Sequence, residues 1–333
     1  MTTAKHTELV SRLRVPVVAA PMFLVSGPEL VVAACRSGVI GSFPTQNCRT
    51  VEELRQWLDT ITEQLRDAGS SAAPWAVNLV THRSNRRFEE DLRLVAEYQP
   101  PIVITALGSP RPVMETVHGY GGIVIADVVN MTLAHKAAAA GVDGMACISA
   151  GAGGHTGHMS PFAFISAVRE FFDGLVIVGG GIADGTGVAG AVTAGADLVY
   201  MGTRFLASQE SLADNEYKQM VVDHGPDDLV ISDAITGTPA SWLRPSLTAN
   251  GLDPDGLRPS TGDRDYTSGE VGFKRWKDLW AAGQGLQSIR EVDTVDTIVS
   301  RTCDEYEARL HAVARMRCPV QGADPVAPHH PVP

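Results

Sequence analysis

The chain has 333 residues, enough for one large barrel with an appendage or for two ordinary domains. Its composition, 44% apolar and 20% charged, is that of a globular enzyme, and a net charge of −11 without any local run of Lys and Arg argues against nucleic acid or an anionic membrane surface as a partner. No apolar run reaches the ~18 residues that a membrane span needs, the polar stretch Met1 to Arg14 does not read as a secretory signal, and five scattered cysteines without CxxC spacing suggest reduced thiols in a cytoplasm and no metal site.

Short β-branched runs alternate with helical patterns along the first two thirds of the chain. The strands are expected at Val15 to Ala20, Val39 to Phe43, Trp75 to Leu79, Ile102 to Ala106, Gly122 to Asp127, Gly144 to Ser149, Leu175 to Val178 and Leu198 to Met201. Helices are expected near Pro28 to Ser37, Val51 to Ala68, Thr132 to Ala140 and Pro161 to Phe172. The strands are apolar along their whole length, as parallel strands covered on both faces are. Strands alternating with helices imply right-handed parallel crossovers, and eight such units fit a closed (β/α)8 TIM barrel, an α/β fold. A doubly wound open sheet is the alternative, but its glycine-rich loop usually follows the first strand. Here the first strand ends in Ala20-Pro21-Met22 and the glycines come late.

After Met220 the strand rhythm is expected to stop. The domain reading is a barrel over 1–222, whose closing helices could come from further on. A loop-rich and helical appendage over 223–318 covers its active-site end, and a proline-rich tail over 319–333 follows. Within the appendage, helical patterns run from about Lys274 to Leu286 and from about Val295 to Met316. The first places Trp276 and Trp280 four residues apart on one buried face.

Three constellations carry chemistry. Gly179-Gly180-Gly181 ends the seventh strand and Met201-Gly202-Thr203 ends the eighth. Loops after these strands form the phosphate site of many barrels, where glycines let amide N–H groups approach an anion at a helix N-terminus, here near Asp184. Next, Gly153, Gly154 and His155 lie in a glycine loop after the sixth strand. A histidine there can act as a general acid or base, and the glycines leave room for a flat ring. His158 shares the loop but is a weaker candidate. Finally, Ala20, Pro21, Met22 and Asn78 end the first and third strands; Met22 offers a soft apolar surface and Asn78 both a donor and an acceptor, while core packing would explain them equally well. Asp127 either points into the site or caps a helix, and Lys136 reads as a solvated helix residue.

Taken together the motifs resemble the nitronate monooxygenases, FMN-dependent (β/α)8 barrels. The resemblance rests on APM at 20–22, VNLVTHR at 77–83, AGVD at 140–143, GAGGHTG at 151–157, VGGGIADGTGV at 178–188, AGADLVYMGTRF at 194–205 and AGQG at 282–285. It implies FMN as cofactor, with its phosphate at Gly180, Gly181, Gly202 and Thr203 and its ring near Ala20, Pro21, Met22 and Asn78. It also implies His155 as the catalytic histidine and Gln284 and Gly285 as a segment closing over the flavin. Where many members read NAGGLG, this chain has Arg36 to Gly41 followed by Ser42 to Asn47, a departure that bears on the substrate.

The expected reaction is oxidation of a nitronate or nitroalkane by dioxygen to a carbonyl compound and nitrite, in a cytoplasmic enzyme with a small-molecule substrate and a homodimer left open. A rival within the same resemblance is an NAD(P)H-dependent FMN reductase acting on a quinone or an enoyl thioester. A flavin-free barrel that binds or isomerises a phospho-substrate is the third reading.

Overall fold

The computed structural model describes residues 4–67, 69–259 and 276–316. The expected tail after Cys318, and the first residues of the helical pattern at Lys274, lie outside the described residues. Eight parallel strands close into a barrel: β1 (Val17–Ala19), β2 (Ile40–Pro44), β3 (Trp75–Val80), β4 (Ile102–Ala106), β5 (Ile123–Val128), β6 (Gly144–Ile148), β7 (Leu175–Gly179) and β8 (Leu198–Met201). Pairing of Val18 with Tyr200 brings β8 against β1 and completes the ring. All eight expected strands are present, and β1 is the one shortened most.

Side-chain alternation divides each strand between two apolar layers. Ile40, Ile102, Ile104, Ile123, Ile125, Leu175, Ile177 and Leu198 point inward and fill the barrel. Val77, Val103, Val124, Met145, Val176, Val178 and Val199 point outward beneath the helices. Both faces are dry, which is why the strands read as continuous apolar runs.

The outer helices are α1 (Pro28–Ser37), α2 (Val51–Arg66), α3 (Phe88–Tyr98), α4 (Arg111–Gly119), α5 (Met131–Ala140), α6 (Pro161–Arg169) and α7 (Gly185–Thr193). Their ends are set locally. Asn130 accepts the Leu133 N–H at 2.9 Å to start α5, and Gly141 at φ 83° ends it. Asp184 accepts the Gly187 N–H at 2.7 Å to start α7. The eighth helix, α8 (Val295–Arg315), comes from the far end of the chain and packs against α7 and α1. It buries Val295, Ile298, Val299 and Cys303 in the outer layer. The stretch 223–318 therefore divides between this barrel helix and the segments at the mouth.

Those segments differ from expectation. Strand structure does not stop after Met220: Leu229–Ser232 pairs antiparallel with Ala240–Leu243, which pairs antiparallel with the two-residue strand Gly154–His155. The described part of the helix expected over Lys274 to Leu286 is not an α-helix. It is a turn with Trp276 at φ 58°, an extended stretch bridged to Trp242 at Ala281, and a short 3-10 turn at Gln284–Ser288. Tertiary pairing overrides the periodicity: the Leu243 N–H donates to the Trp280 carbonyl at 2.9 Å. Trp276 and Trp280 consequently face different neighbours, Trp242 and Tyr217 respectively.

The seat of α8 has little slack. A Cβ on Gly185 would run into the Thr302 carbonyl and, at 2.5 Å, the Tyr306 amide nitrogen, both main-chain atoms. Gly185→Val should destabilise the barrel by about 1–3 kcal/mol, read as a lower Tm. An unchanged Tm would show that α8 is not fixed there.

Candidate active site

The C-terminal ends of the barrel strands surround a cleft of about 1800 Å³. Its floor continues the inward-facing positions of the strands. Ala20, Asn78, Ala106, Asp127, Ile148, Gly179 and Tyr200 all line it. Asn78 is 6% exposed, so the amide is held at the bottom of the cleft. Asp127 sits two residues beyond Ile125 on the same face of β5. Tyr200 Oη donates to its carboxylate across the barrel at 3.4 Å. Burial pushes the Asp127 carboxyl up to about 7, and the Tyr200 hydrogen bond offsets only part of that. The reading of Asp127 as pointing into the site holds; helix capping falls to Asn130.

Three glycine turns meet along one wall. The loop after β6, the loop after β7 and the segment 283–285 approach at distances that leave no room for side chains. A Cβ on Gly153 would lie 2.6 Å from the Gly283 nitrogen, one on Gly180 2.6 Å from the Ala150 carbonyl oxygen, and one on Gly285 2.7 Å from Ala183 Cβ. Bonds donated by main-chain N–H groups fix the arrangement. Gln284 N–H donates to the Gly151 carbonyl at 2.9 Å, and Gly283 N–H to Thr203 Oγ1 at 2.9 Å. Gly180, Gly181, Gly202 and Thr203 all line the cleft, and Thr203 opens the single helical turn Thr203–Leu206.

His155 lines the same cleft. Its backbone pairs with Ala240, and its ring meets the edge of Trp276 at 5.0 Å between centroids and 78° between planes. Trp276 packs at 4.6 Å and a 31° tilt on Trp242, which is fully buried. The preceding Gly154, at φ 65°, needs the left-handed region. Burial pulls the imidazole down to about 4, so the ring is neutral near pH 7. His155 Nε2 is buried without a hydrogen-bond partner among the described residues, and His155 is one of the residues lining the cleft. A buried polar atom left open in this way is what a bound ligand would satisfy.

Of the residues singled out in the sequence, His155, Ala20, Pro21, Met22, Asn78, Gly153, Gly154, Gly179, Gly180, Gly181, Gly202, Thr203 and Gly285 all line the cleft. Two do not. Met201 is a correction: alternation turns Tyr200 inward and Met201 outward, where it is fully buried under the helices. Gln284 has an exposed side chain, bordering Gly151 and Gly181 outside the cleft lining, and it acts through its main-chain N–H. His158 is exposed and lies outside the cleft lining.

The departure at Ser42 to Asn47 resolves into two roles. Gln46 lines the cleft with its Nε2 buried and unpartnered among the described residues. Asn47 clamps the loop after β1, donating to the carbonyls of Met22 (3.0 Å) and Ser26 (2.7 Å) and accepting from the Leu24 N–H (2.8 Å). The sequence assigns Tyr200 and Trp276 no site role and marks Gln46 only as part of the segment Ser42 to Asn47. Only the inward phase of β8 could have singled out Tyr200.

The Asp127 carboxyl makes stability depend on pH. Its folded value, about 7, lies above the ordinary 3.8, so the folded chain keeps a proton that the unfolded chain releases. That advantage is complete below 3.8 and lost as pH rises through about 7. Asp127→Asn should therefore gain Tm relative to the parent as pH rises from about 4 to about 7, then hold level. A pH-independent difference in Tm would show that Asp127 ionises normally.

Comparison with known proteins agrees with this geometry. The family model described as nitronate monooxygenase matches residues 58–251. A nitronate monooxygenase of Paraburkholderia phytofirmans is 28% identical over 77% of this chain and 81% of its own length. A (3aS,4S,5R,7aS)-5-hydroxy-7a-methyl-1-oxo-octahydro-1H-indene-4-carboxyl-CoA dehydrogenase of Rhodococcus jostii is 30% identical over 75% of this chain and 68% of its own. Among solved structures, the nitroalkane oxidase of Streptomyces ansochromogenes has the same fold, with TM-score 0.74 and 21% identity over 92% of this chain and 99% of that one. FabK of Thermotoga maritima shares it too, with TM-score 0.75 and 23% identity over 95% and 99%. The chain is an oxidoreductase and belongs to the nitronate monooxygenase family.

Proposed function

We propose that this enzyme binds FMN in the cleft and oxidises nitronates, or the nitroalkanes that give rise to them, to a carbonyl compound and nitrite with dioxygen as co-substrate. The observation that carries the reading is the pairing of a glycine wall, in which Gly153, Gly180 and Gly285 leave no room for a Cβ, with a neutral histidine of the same cleft whose Nε2 has no partner among the described residues. When bound, the flavin supplies the electron transfer between substrate and dioxygen. The residues present fit such a group. Gly180, Gly181, Gly202 and Thr203 are the turns that would hold its phosphate, at the ends of β7 and β8. Ala20, Pro21, Met22 and Asn78 would flank its ring, with the Met22 loop held in place by Asn47. Gly153 and Gly154 lead into His155 along the cleft lining, and Gly285 closes the wall. Thr203 keeps its hydroxyl proton free to donate, because its oxygen serves as acceptor for Gly283.

His155 is the proton acceptor of the reading. A neutral nitroalkane must lose its α-proton before it is electron-rich enough to be oxidised. His155 Nε2 takes that proton, and the Trp276 edge and the Ala240 pairing keep the ring from turning away. A nitronate arrives already ionised and needs no such step. Burial keeps the imidazole unprotonated down to about pH 4, so the base is available across the neutral range.

His155→Ala should lower turnover of a neutral nitroalkane by about 100-fold or more, and that of the preformed nitronate far less. In the parent enzyme, kcat/KM for the neutral nitroalkane should fall as pH drops through about 4, where the imidazole gains its proton. Equal losses on both substrates would remove His155 from the role of base.

A further inference from the structure

The proposed reaction uses His155 and leaves one acid of the cleft without a task. Asp127 is the sole carboxylate among the described cleft-lining residues. The inward positions below it on β5 are Ile123 and Ile125, both buried in the barrel interior. Strand alternation aims Asp127 the same way, two residues nearer the mouth, where it is partly open to the cleft. It caps no helix, since Asn130 starts α5, and it forms no ion pair among the described residues. The side-chain hydrogen bond it accepts among those residues comes from Tyr200 Oη at 3.4 Å, longer than an ordinary O–H···O bond. A leucine or an asparagine would fill this position at less cost than an acid, so packing does not account for a carboxyl there.

The groups around this carboxyl are mostly uncharged. The neighbouring strands β4 and β6 contribute Ala106 and Ile148 to the lining. Tyr200 reaches across from β8. On the loop after β6, His155 is neutral above about pH 4. Helices α4 and α5 pack behind β5; of their charged groups Arg111 and Lys136 line the cleft and are exposed, while Glu115, His118 and His135 lie outside the lining. His82, after β3, also lines the cleft, with its Nδ1 2.8 Å from Ser84 Oγ. The described floor residues therefore offer no counter-charge, and the charge of the floor is that of Asp127. With its proton on, the acid is neutral and its hydroxyl can donate a hydrogen bond. With the proton off, a negative charge stands at the bottom of a dry cleft, where like charges repel far more than in water. Burial holds the carboxyl up at about 7, so the change of state falls in the neutral range.

We propose that Asp127 is a specificity-determining residue of this site: while it holds its proton the cleft admits an anionic ligand such as a nitronate, and once it ionises the cleft favours neutral molecules such as the nitroalkane. The inference rests on the reading of this cleft as the place where those substrates react. No bond between heavy atoms changes in the switch; the carboxyl gains one proton from solvent or loses one to it. The effect is reciprocal. An anion that binds the protonated form better raises the proton affinity of Asp127, so anion binding just above neutrality takes up a proton.

The probe is nitrite, the proposed product, which is an anion on both sides of the Asp127 transition. Calorimetric titration of the purified holoenzyme with sodium nitrite at about pH 5.5 and about pH 8.5 brackets that transition. We expect the affinity to fall at least about tenfold between the two, the effect of one like charge close by. Just above neutrality, titrations in two buffers of different ionisation enthalpy should show proton uptake on binding. In Asp127→Asn the affinity should stay level with pH and the uptake should vanish. Tyr200→Phe removes a hydrogen bond that favours the ionised acid, so there the fall should move to higher pH. Affinity in the parent that is indifferent to pH, or no binding at either pH, overturns the inference. So does a fall that persists in Asp127→Asn, since another group of the lining would then cause it. Should Asp127→Asn not fold, the shift in Tyr200→Phe and the proton uptake of the parent decide the matter. Nitrite binding needs no turnover, so the proposed reaction is judged separately, by oxidation of a nitronate in the same preparations. Switching without oxidation sinks the reaction alone, and oxidation without switching sinks the role of Asp127 alone.

Discussion

The site depends on main-chain pairing between segments far apart in sequence. The loop after β6 cannot hold a histidine by itself, because it is mostly glycine and has little side-chain packing of its own. It is fixed from two sides. The strand Ala240–Leu243 pairs with Gly154–His155, and the segment at Gly283–Gln284 bonds both to Gly151 and to Thr203. The second of these ties the β6 loop to the end of β8, where the proposed phosphate turns begin. Because main-chain N–H groups make these bonds, to the Gly151 carbonyl and the Thr203 hydroxyl, glycine is required for closeness, and at Gly154 for its positive φ as well. That explains why turns that would be loose in isolation form one packed wall. Trp242 then makes the middle strand of this small sheet a support, since it is wholly buried and packs on Trp276, which meets the histidine.

Much of this was legible in the sequence for identifiable reasons. The eight strands are buried on both faces, so their apolar runs stand out against the helices between them. The glycine turns and His155 lie at strand ends, where a barrel keeps its chemistry. What was not legible needs three dimensions. Met201 reads as part of a binding motif until alternation turns it outward. The strand at Gly154–His155 has two residues and no pattern to detect. Its partner follows a long connection from Ser232 to Ala240 rather than a tight hairpin turn. Trp276 and Trp280 have helical spacing, yet pairing of the backbone at Leu243 and Trp280 draws the chain into an extended path. The segment Ser42 to Asn47 stood out as unusual, but only contacts separate Gln46, which faces the cleft, from Asn47, which braces the loop after β1.

Electrostatics organise the cleft from floor to rim. The floor is dry, which holds Asp127 partly protonated and His155 neutral near pH 7, so little fixed charge lies where electrons and protons move. The exposed cations that line the cleft, Arg49, Arg86, Arg111 and Lys136, lie at its mouth. A ligand would meet charge first and an uncharged interior last. That order suits an anionic or anion-tethered substrate whose reacting carbon must be desolvated before it reacts.

The central claim is that the glycine turns after β7 and β8 grip the anionic end of a flavin and so set its ring before His155. Comparison of FMN with riboflavin as ligands of the flavin-stripped enzyme tests it most directly, since the two differ only by the phosphate. A phosphate site of this kind predicts that FMN binds at least about a hundredfold more tightly than riboflavin, worth roughly 2.7 kcal/mol or more. Equal affinities, or no affinity for either, would contradict it.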